Sequence, residues 1–342
     1  ISVYLCFSII ATPVLFIGVL QITDYNPSEE EIIQNSGSPD TLIVDHQYTL
    51  LTWNIGYAGL GNDMDFFYDG GEKVRTSLAR TRQNIDSIKT WLKSNYADFV
   101  VLQEVDMNSK RTYYMNQMDR ILREFPETIH SDFAYNYKVR YLPFPPTKPL
   151  GRIESGLLSF SQYQPVESKR ISYLAKYSWP KRLWMLDRAF LIQKFETNKG
   201  KPLYIINTHN TAFDDGSIRQ KETVQIAEYA KQLYKNGAFV LIAGDWNQTP
   251  IENTNTNENE ILDVPVFGLN KEAFPSDWKI EFDQTYPTNR SLNTSQQKFW
   301  KTYIIDFVVC SPNVDVFMTK TQSLGFSFSD HNPVKYCFKL LQ

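Results

Sequence analysis

"AFVLIAGDWNQTP", residues 238–250, is the stretch on which the reading of the fold turns. Its first half is apolar on both faces, and its second half is Gly244, Asp245, Trp246, Asn247 and a Thr-Pro turn. Alternate side chains of an extended segment share a face, so Asp245 and Asn247 are expected side by side at a strand end. A strand apolar on both faces belongs to a sheet covered on both sides. "DFVVLQEV" (98–105) has the same character. Helical spacing appears in 76–94, through Leu78, Ile85, Ile88 and Leu92, and helices are also expected over 114–125 and 217–236. Further strands are expected over 48–55, 154–160, 188–196, 202–210, 303–311 and 332–340. Strand–helix–strand order recurs loosely in both halves, so two packed mixed β-sheets with helices outside are expected. No compositional break divides 47–342, which reads as one domain.

The chain has 342 residues, 42% of them hydrophobic, enough for a large core. Its net charge of −3 argues against a protein living mainly on phosphate-backbone contacts, which would be basic. Cys6, Cys310 and Cys337 form no CxxC or Cys/His zinc pattern, and free thiols are expected.

Residues 1–20, "ISVYLCFSIIATPVLFIGVL", carry no charge and match a bilayer core in length. Residues 1–22 are read as a transmembrane signal-anchor helix, with a cleaved signal peptide as the alternative. Residues 23–46 read as a polar linker. The acidic flank Glu29–Glu31 places the main domain on the non-cytoplasmic side, periplasmic or extracellular, with secretion as the alternative.

Several strands end alike, in an apolar run followed by polar groups: Asn54, Glu104, His209 with Asn210, and Asp245 with Asn247. Asp306 opens a strand, and Asp330 and His331 precede the last one. Strand ends of a layered α/β fold converge on one rim. Singly, each residue is better read as a turn cap or a satisfied core group. Together, carboxylates and carboxamides without cysteine describe a site for a hard cation, Mg²⁺ or alternatively Mn²⁺. No G-x-S-x-G elbow, P-loop or G-x-G-x-x-G is present.

"TWNI", "LQEV", "NTH", "AGDWN", "IDFVV" and "SDHNPV", in that order, resemble the endonuclease/exonuclease/phosphatase superfamily, also called deoxyribonuclease-I-like, over about 48–340. The resemblance implies a four-layer α/β sandwich and Mg²⁺-dependent phosphoester hydrolysis. It implies that Glu104 binds the metal, helped by Asn54, with Asp330 completing the metal side. Asp245 and Asn247 would position water and phosphate. His209 would donate to a non-bridging oxygen. His331, oriented by Asp306, would be base or phosphate donor. Trp246 stands where the family often has Phe, and Asn210 where many members have Leu.

The substrate is not implied by the fold. Segments 135–152 and 173–188 alternate aromatics with Lys138, Arg140, Lys148 and Arg152, and with Lys176, Lys181, Arg182 and Arg188. Such loops suit a lipid interface or single-stranded nucleic acid, and the plain alternative is packing at a sheet edge. The expected anchor favours a membrane lipid or its phosphorylated headgroup, in the manner of neutral-sphingomyelinase-like members. A secreted or periplasmic nuclease is the rival, and a degenerate binding module the third reading. Asn210, Arg140, Arg152 and Arg290 are the expected substrate contacts. The first part of 251–302 reads as flexible, and a monomer is expected.

Overall fold

A computed structural model describes residues 14–33, 38–251 and 267–342. Residues 1–13, most of the expected anchor, lie outside the described residues, as does the polar run 252–266. Residues 14–22 are helical (α1), and no described helix is long and apolar enough to cross a membrane.

The segment read as a linker contributes strands: β1 (Glu30–Ile33) and β2 (Thr41–Leu42), with Leu42 fully buried. There follow β3 (Gln47–Asn54), α2 (Leu78–Ser94), β4 (Phe99–Asp106), α3 (Gln117–Leu122), β5 (His130–Leu142), β6 (Gly151–Ser161), β7 (Glu167–Ser172), β8 (Ala189–Thr197) and β9 (Leu203–His209). Then come α4 (Ser217–Lys235), β10 (Phe239–Asp245), the short β11 (Gln248–Thr249) and β12 (Phe267–Gly268), β13 (Lys279–Glu281), and the pair β14 (Asn289–Arg290) and β15 (Thr302–Tyr303). β16 (Asp306–Cys310), β17 (Val314–Thr321) and β18 (Val334–Leu340) complete the chain.

Sheet I runs β17-β18-β3-β4-β6-β5, and sheet II runs β1-β7-β8-β9-β10-β16-β13 with β2 beside β8. Both are mixed: β3–β4 and β9–β10 are parallel, and most other pairs are antiparallel. One core lies between the sheets, joining Leu50, Phe99 and Tyr336 of sheet I to Ile205, Leu241 and Val308 of sheet II. A second packs Ile226, Ala227 and Ala230 of α4 on the outside of sheet II. A third packs Ile85, Ile88 and Leu92 of α2 on the outside of sheet I. The order is helix, sheet, sheet, helix, the expected sandwich.

β10 is buried along its whole length because its two faces feed different cores. Phe239, Leu241 and Ala243 point between the sheets, and Val240 and Ile242 point under α4. Ser77 caps α2 by accepting from Arg80 N at 3.2 Å. The helix expected over 114–125 is shorter: Asn116 caps it, accepting from Asp119 N at 3.0 Å. The expected loop 135–152 is largely the β5–β6 hairpin, with 143–150 alone between the strands. Cys310 and Cys337 are free thiols on different sheets.

Candidate active site

The same alternation that builds the inter-sheet core ends in the site. On β10 the inward series Phe239, Leu241, Ala243 continues to Asp245. On β9 Leu203 and Ile205 lead to Asn207 and His209. On β3 Leu50 leads through Thr52 to Asn54, and on β16 Cys310 and Val308 lead back to Asp306. A period of two thus places Asn54, His209, Asp245 and Asp306 at one end of the gap between the sheets. Register does the rest: Asp245 pairs with His209 on one side and Asp306 on the other.

Glu104 breaks this parity. Leu102 and Val105 both face α2, so one residue too many stands between them. The β4–β6 register shifts there, and Glu104 takes a left-handed φ of 55°. The bulge turns its carboxylate back toward the inter-sheet end. Such a backbone costs about 1–3 kcal/mol and clusters where function demands it.

Asn54 is the hub. Its Nδ2 donates to Asp245 Oδ2 at 2.9 Å and Glu104 Oε1 at 3.2 Å, and its Oδ1 accepts from Gly56 N at 3.0 Å. His209 Nε2 lies 3.4 Å from Asp245 Oδ2 and 3.9 Å from Glu104 Oε1. His331 Nδ1 meets Asp306 Oδ2 at 2.8 Å, while its Nε2 lies 3.7 Å from Asp245 Oδ2 and 4.0 Å from Asp330 Oδ2. Ser329 ties two strands' ends, its hydroxyl donating to Asn54 O at 2.8 Å and accepting from His331 N at 3.1 Å.

Asp245 both caps a turn and faces the site. Asn247 is not extended; its φ is 50°, and its N donates to Asp245 Oδ1 at 2.9 Å. Asp245 therefore caps a turn with one oxygen and faces the site with the other. Arg219 clamps that turn, donating to Asn247 O at 2.8 Å while its Nε is held by Asp214 at 2.6 Å. Trp246 points the other way, buried and stacked on Phe307 at 5.2 Å.

Charge in the site is unbalanced toward negative. Burial pushes Asp245 and Asp330 up to about 6, opposed by His331 and reinforced by neighbouring carboxylates. Burial works against a charged His331, but Asp306, Asp245 and Asp330 outweigh it and push the imidazole up to about 10. His209 goes well below the usual range through burial and the charges of Arg188 and His331, and is neutral. Crowded carboxylates that resist ionising together are the donor set a divalent cation suits. Asp245, Asp306 and His331 have ligand atoms within 4.8 Å of one another. The hydrogen bond between Asp306 and His331 already occupies that trio. Glu104 and Asp330 line the cleft beside Asp245 and His331.

A cleft of about 440 Å³ opens over these groups. Glu104, His209, Asp245, Asn247, Asp330, His331 and Arg290 line it. Asn54 and Asp306 sit beneath. The other expected substrate contacts do not reach it. Arg140 is exposed, Arg152 is exposed and pairs with Glu154 on its own strand, and the Asn210 side chain turns inward, accepting from Thr208 Oγ1 at 2.7 Å. Arg290 lines the wall but spends Nη2 on the carbonyls of Gly61 and Met64, at 2.7 and 3.0 Å. Its neighbour Asn289 touches chemistry instead, Nδ2 lying 2.9 Å from His331 Nε2. Asn289 was missed by sequence reasoning; only its place beside Arg290 in "PTNRS" hinted at it.

The sequence model of the endonuclease/exonuclease/phosphatase family matches residues 51–331. No curated protein matches the chain. Among solved structures, the chain is similar to an endonuclease/exonuclease/phosphatase from Beutenbergia cavernae, at 15% identity and a TM-score of 0.57, over 86% of this chain and 72% of that one. It is similar to ANGEL2, a 2′,3′-cyclic phosphatase, at 13% and 0.58, over 86% and 96%. It is also similar to D. rerio TDP2 complexed with a single-strand DNA product, at 15% and 0.51, over 86% and 100%. At these identities the likeness is one of fold. With the family's model matched over most of its length, the chain belongs to the endonuclease/exonuclease/phosphatase family, whose members are metal-dependent hydrolases of phosphate esters.

Proposed function

We propose that the protein is a Mg²⁺-dependent phosphodiesterase acting on a membrane phospholipid or its phosphorylated headgroup, on the non-cytoplasmic side of a membrane. The observation that carries the substrate reading is the wall of the cleft. Beside the charged groups it is largely apolar, with Leu142, Phe144, Leu150, Ile153, Trp184 and Leu292. A nucleobase would stack on Phe144 or Trp184 and leave Leu142, Leu150, Ile153 and Leu292 unused, whereas an acyl or sphingoid chain would fill the whole wall. The rim supports the same reading. Tyr141 and Trp179, close in sequence to the cleft-lining Leu142 and Lys181, are exposed among the exposed Arg140, Lys176, Lys181 and Arg182. The helix at 14–22 exposes Val14, Leu15, Val19 and Ile22, and packs beside this rim: Phe16 lies 6.2 Å from Tyr141, and Trp179 Nε1 donates to Gln21 at 3.1 Å. Aromatic and basic side chains around an apolar mouth suit a lipid–water boundary.

Glu104 and Asp330 would hold the ion, with Asn54 fixing Glu104. A bound Mg²⁺ supplies Lewis-acid polarisation of the phosphoryl group. Asp245 and Asn247 orient the attacking water, His209 donates from Nε2 to a phosphoryl oxygen, and His331 stabilises charge from the Asp306 side. Nucleic acid is the rival substrate, and TDP2, similar in fold, holds a DNA product. Purified protein with Mg²⁺ offered sphingomyelin or phosphatidylinositol vesicles, soluble inositol phosphates and plasmid DNA decides between them. Vesicle hydrolysis abolished by EDTA is expected; rapid plasmid nicking with inert vesicles would sink the lipid reading.

A further inference from the structure

Among the described residues, four arginines line the cleft, and three are occupied by the protein itself. Arg111 gives Nε and Nη2 to Asp106, at 3.1 and 2.9 Å, and stacks 3.6 Å over Tyr57. Arg219 is held by Asp214, Asn247 O and Ala212 O. Arg290 is held by the carbonyls of Gly61, Met64 and Ser291. Arg188 is different. It is 8% exposed, and its side chain's one hydrogen bond among the described residues runs from Nη1 to His209 O at 3.0 Å. Its Nε and Nη2 have no partner there.

Nor has it an ion pair among the described residues. The buried carboxylate in its field, Glu222, is committed elsewhere, accepting from Thr211 N and Thr211 Oγ1 at 2.7 Å each. A buried, unpaired cation is costly and persists where an anion completes it. Arg188 sits just before β8, its carbonyl accepting from Tyr173 N at 2.9 Å, and so is anchored on sheet II next to His209. Glu104 and Asp245 also feel its charge. We propose that Arg188 is a substrate-binding residue. Its free Nε and Nη2 grip a non-bridging oxygen of the reacting phosphate on the His209 side, across the site from His331. The planar guanidinium offers two donors in the spacing of a phosphate edge. This rests on phosphoester hydrolysis and not on the lipid reading.

Arg188→Ala and Arg188→Lys test it, with inorganic phosphate as competitive inhibitor and with Mg²⁺ titrated separately. In Arg188→Ala the phosphate inhibition constant should rise about 10- to 100-fold, the worth of a lost charge-assisted contact. kcat/KM should fall alongside, the Mg²⁺ dependence should hold, and added guanidinium should restore part of the loss. Arg188→Lys, which keeps the charge but not the fork, should fall between. If Arg188→Ala does not fold, Arg188→Lys carries the same comparison. Unchanged phosphate inhibition in the variant that folds overturns the proposal, as does a loss that guanidinium leaves untouched in folded Arg188→Ala. Should no phosphoester be turned over, phosphate binding by calorimetry reads Arg188 independently.

Discussion

Asp306 Oδ2 accepts from His331 Nδ1 at 2.8 Å, joining the first residue of β16 to a residue three positions before β18. The bond crosses from sheet II to sheet I at the open end of the sandwich. It sets which nitrogen of His331 faces the cleft, and Asn289 and Asp245 surround that nitrogen. Replacing Asp306 by Asn keeps the shape and removes the charge. kcat should fall by about 10²–10⁴, the range for a mis-set acid–base group, with KM little changed. Steady-state kinetics beside circular dichroism checks this; a folded variant with undiminished kcat would refute the pairing's role.

Glu104 carries both a strained backbone and a charge crowded by Asp330. Glu104→Gln should therefore leave the metal-free protein as stable as the parent or more so, while activity nearly vanishes. The parent should melt higher with Mg²⁺ by the linkage of binding to folding, and the variant should not. Thermal melts with and without Mg²⁺ read this directly. An equal Mg²⁺ shift in both proteins would remove Glu104 from the metal.

Much of this was legible because strands alternate. Once "AFVLIAGDW" is read as buried on both faces, Asp245 must continue an inward series, and His209, Asn54 and Asp306 follow by the same count. What alternation misses is where it fails. Glu104 reaches the site through an inserted bulge residue, and Asn247 through a left-handed turn; neither conformation is written in local propensity. "YNYKVRYL" reads as a loop because it is polar and aromatic, yet it belongs to β5, an edge strand half open to solvent. Arg188 and Arg290 look alike in sequence. Only the count of donors already spent tells them apart.

Away from the site, Asp132 is a buried carboxyl that accepts from Ser168 Oγ and Gln193 Nε2, each at 2.6 Å. Burial raises its pKa, with those hydrogen bonds pulling the other way. A raised folded pKa means the protonated form is favoured by folding. That contribution is complete below the unfolded value, near 3.8, and is lost as pH climbs through the folded value. Asp132→Asn cannot ionise, so it should gain on the parent as pH rises and match it in acid. Urea unfolding across that range tests the sign; a gain confined to acid pH would overturn it.

Gly244 precedes Asp245 with φ 150°, and a Cβ there would meet Thr208 O at 2.0 Å. The close approach of β10 to β9 sets Asp245 against His209. Gly244→Ala must push the strands apart, and a loss of about 3 kcal/mol is expected from strain and overpacking. Activity should fall even where the variant still folds. A wild-type urea midpoint would show that the strands have room.

Leu174 and Trp179 are 62% and 59% exposed on segment 173–184, whose Lys181 and Trp184 line the cleft. An exposed Leu or Trp alone needs no explanation, but two on one segment that also exposes Lys176, Lys181 and Arg182 do. If the rim meets a bilayer, each side chain leaves water on docking, and partitioning should weaken on truncation. The double variant Leu174→Ala/Trp179→Ala should sediment less with vesicles and hydrolyse vesicle substrate at least about tenfold more slowly. Its rate on a soluble short-chain phosphoester should be unchanged, because the catalytic groups are untouched. Equal losses on both substrates would mean the pair supports the fold, and no loss on either would take the membrane away from this face.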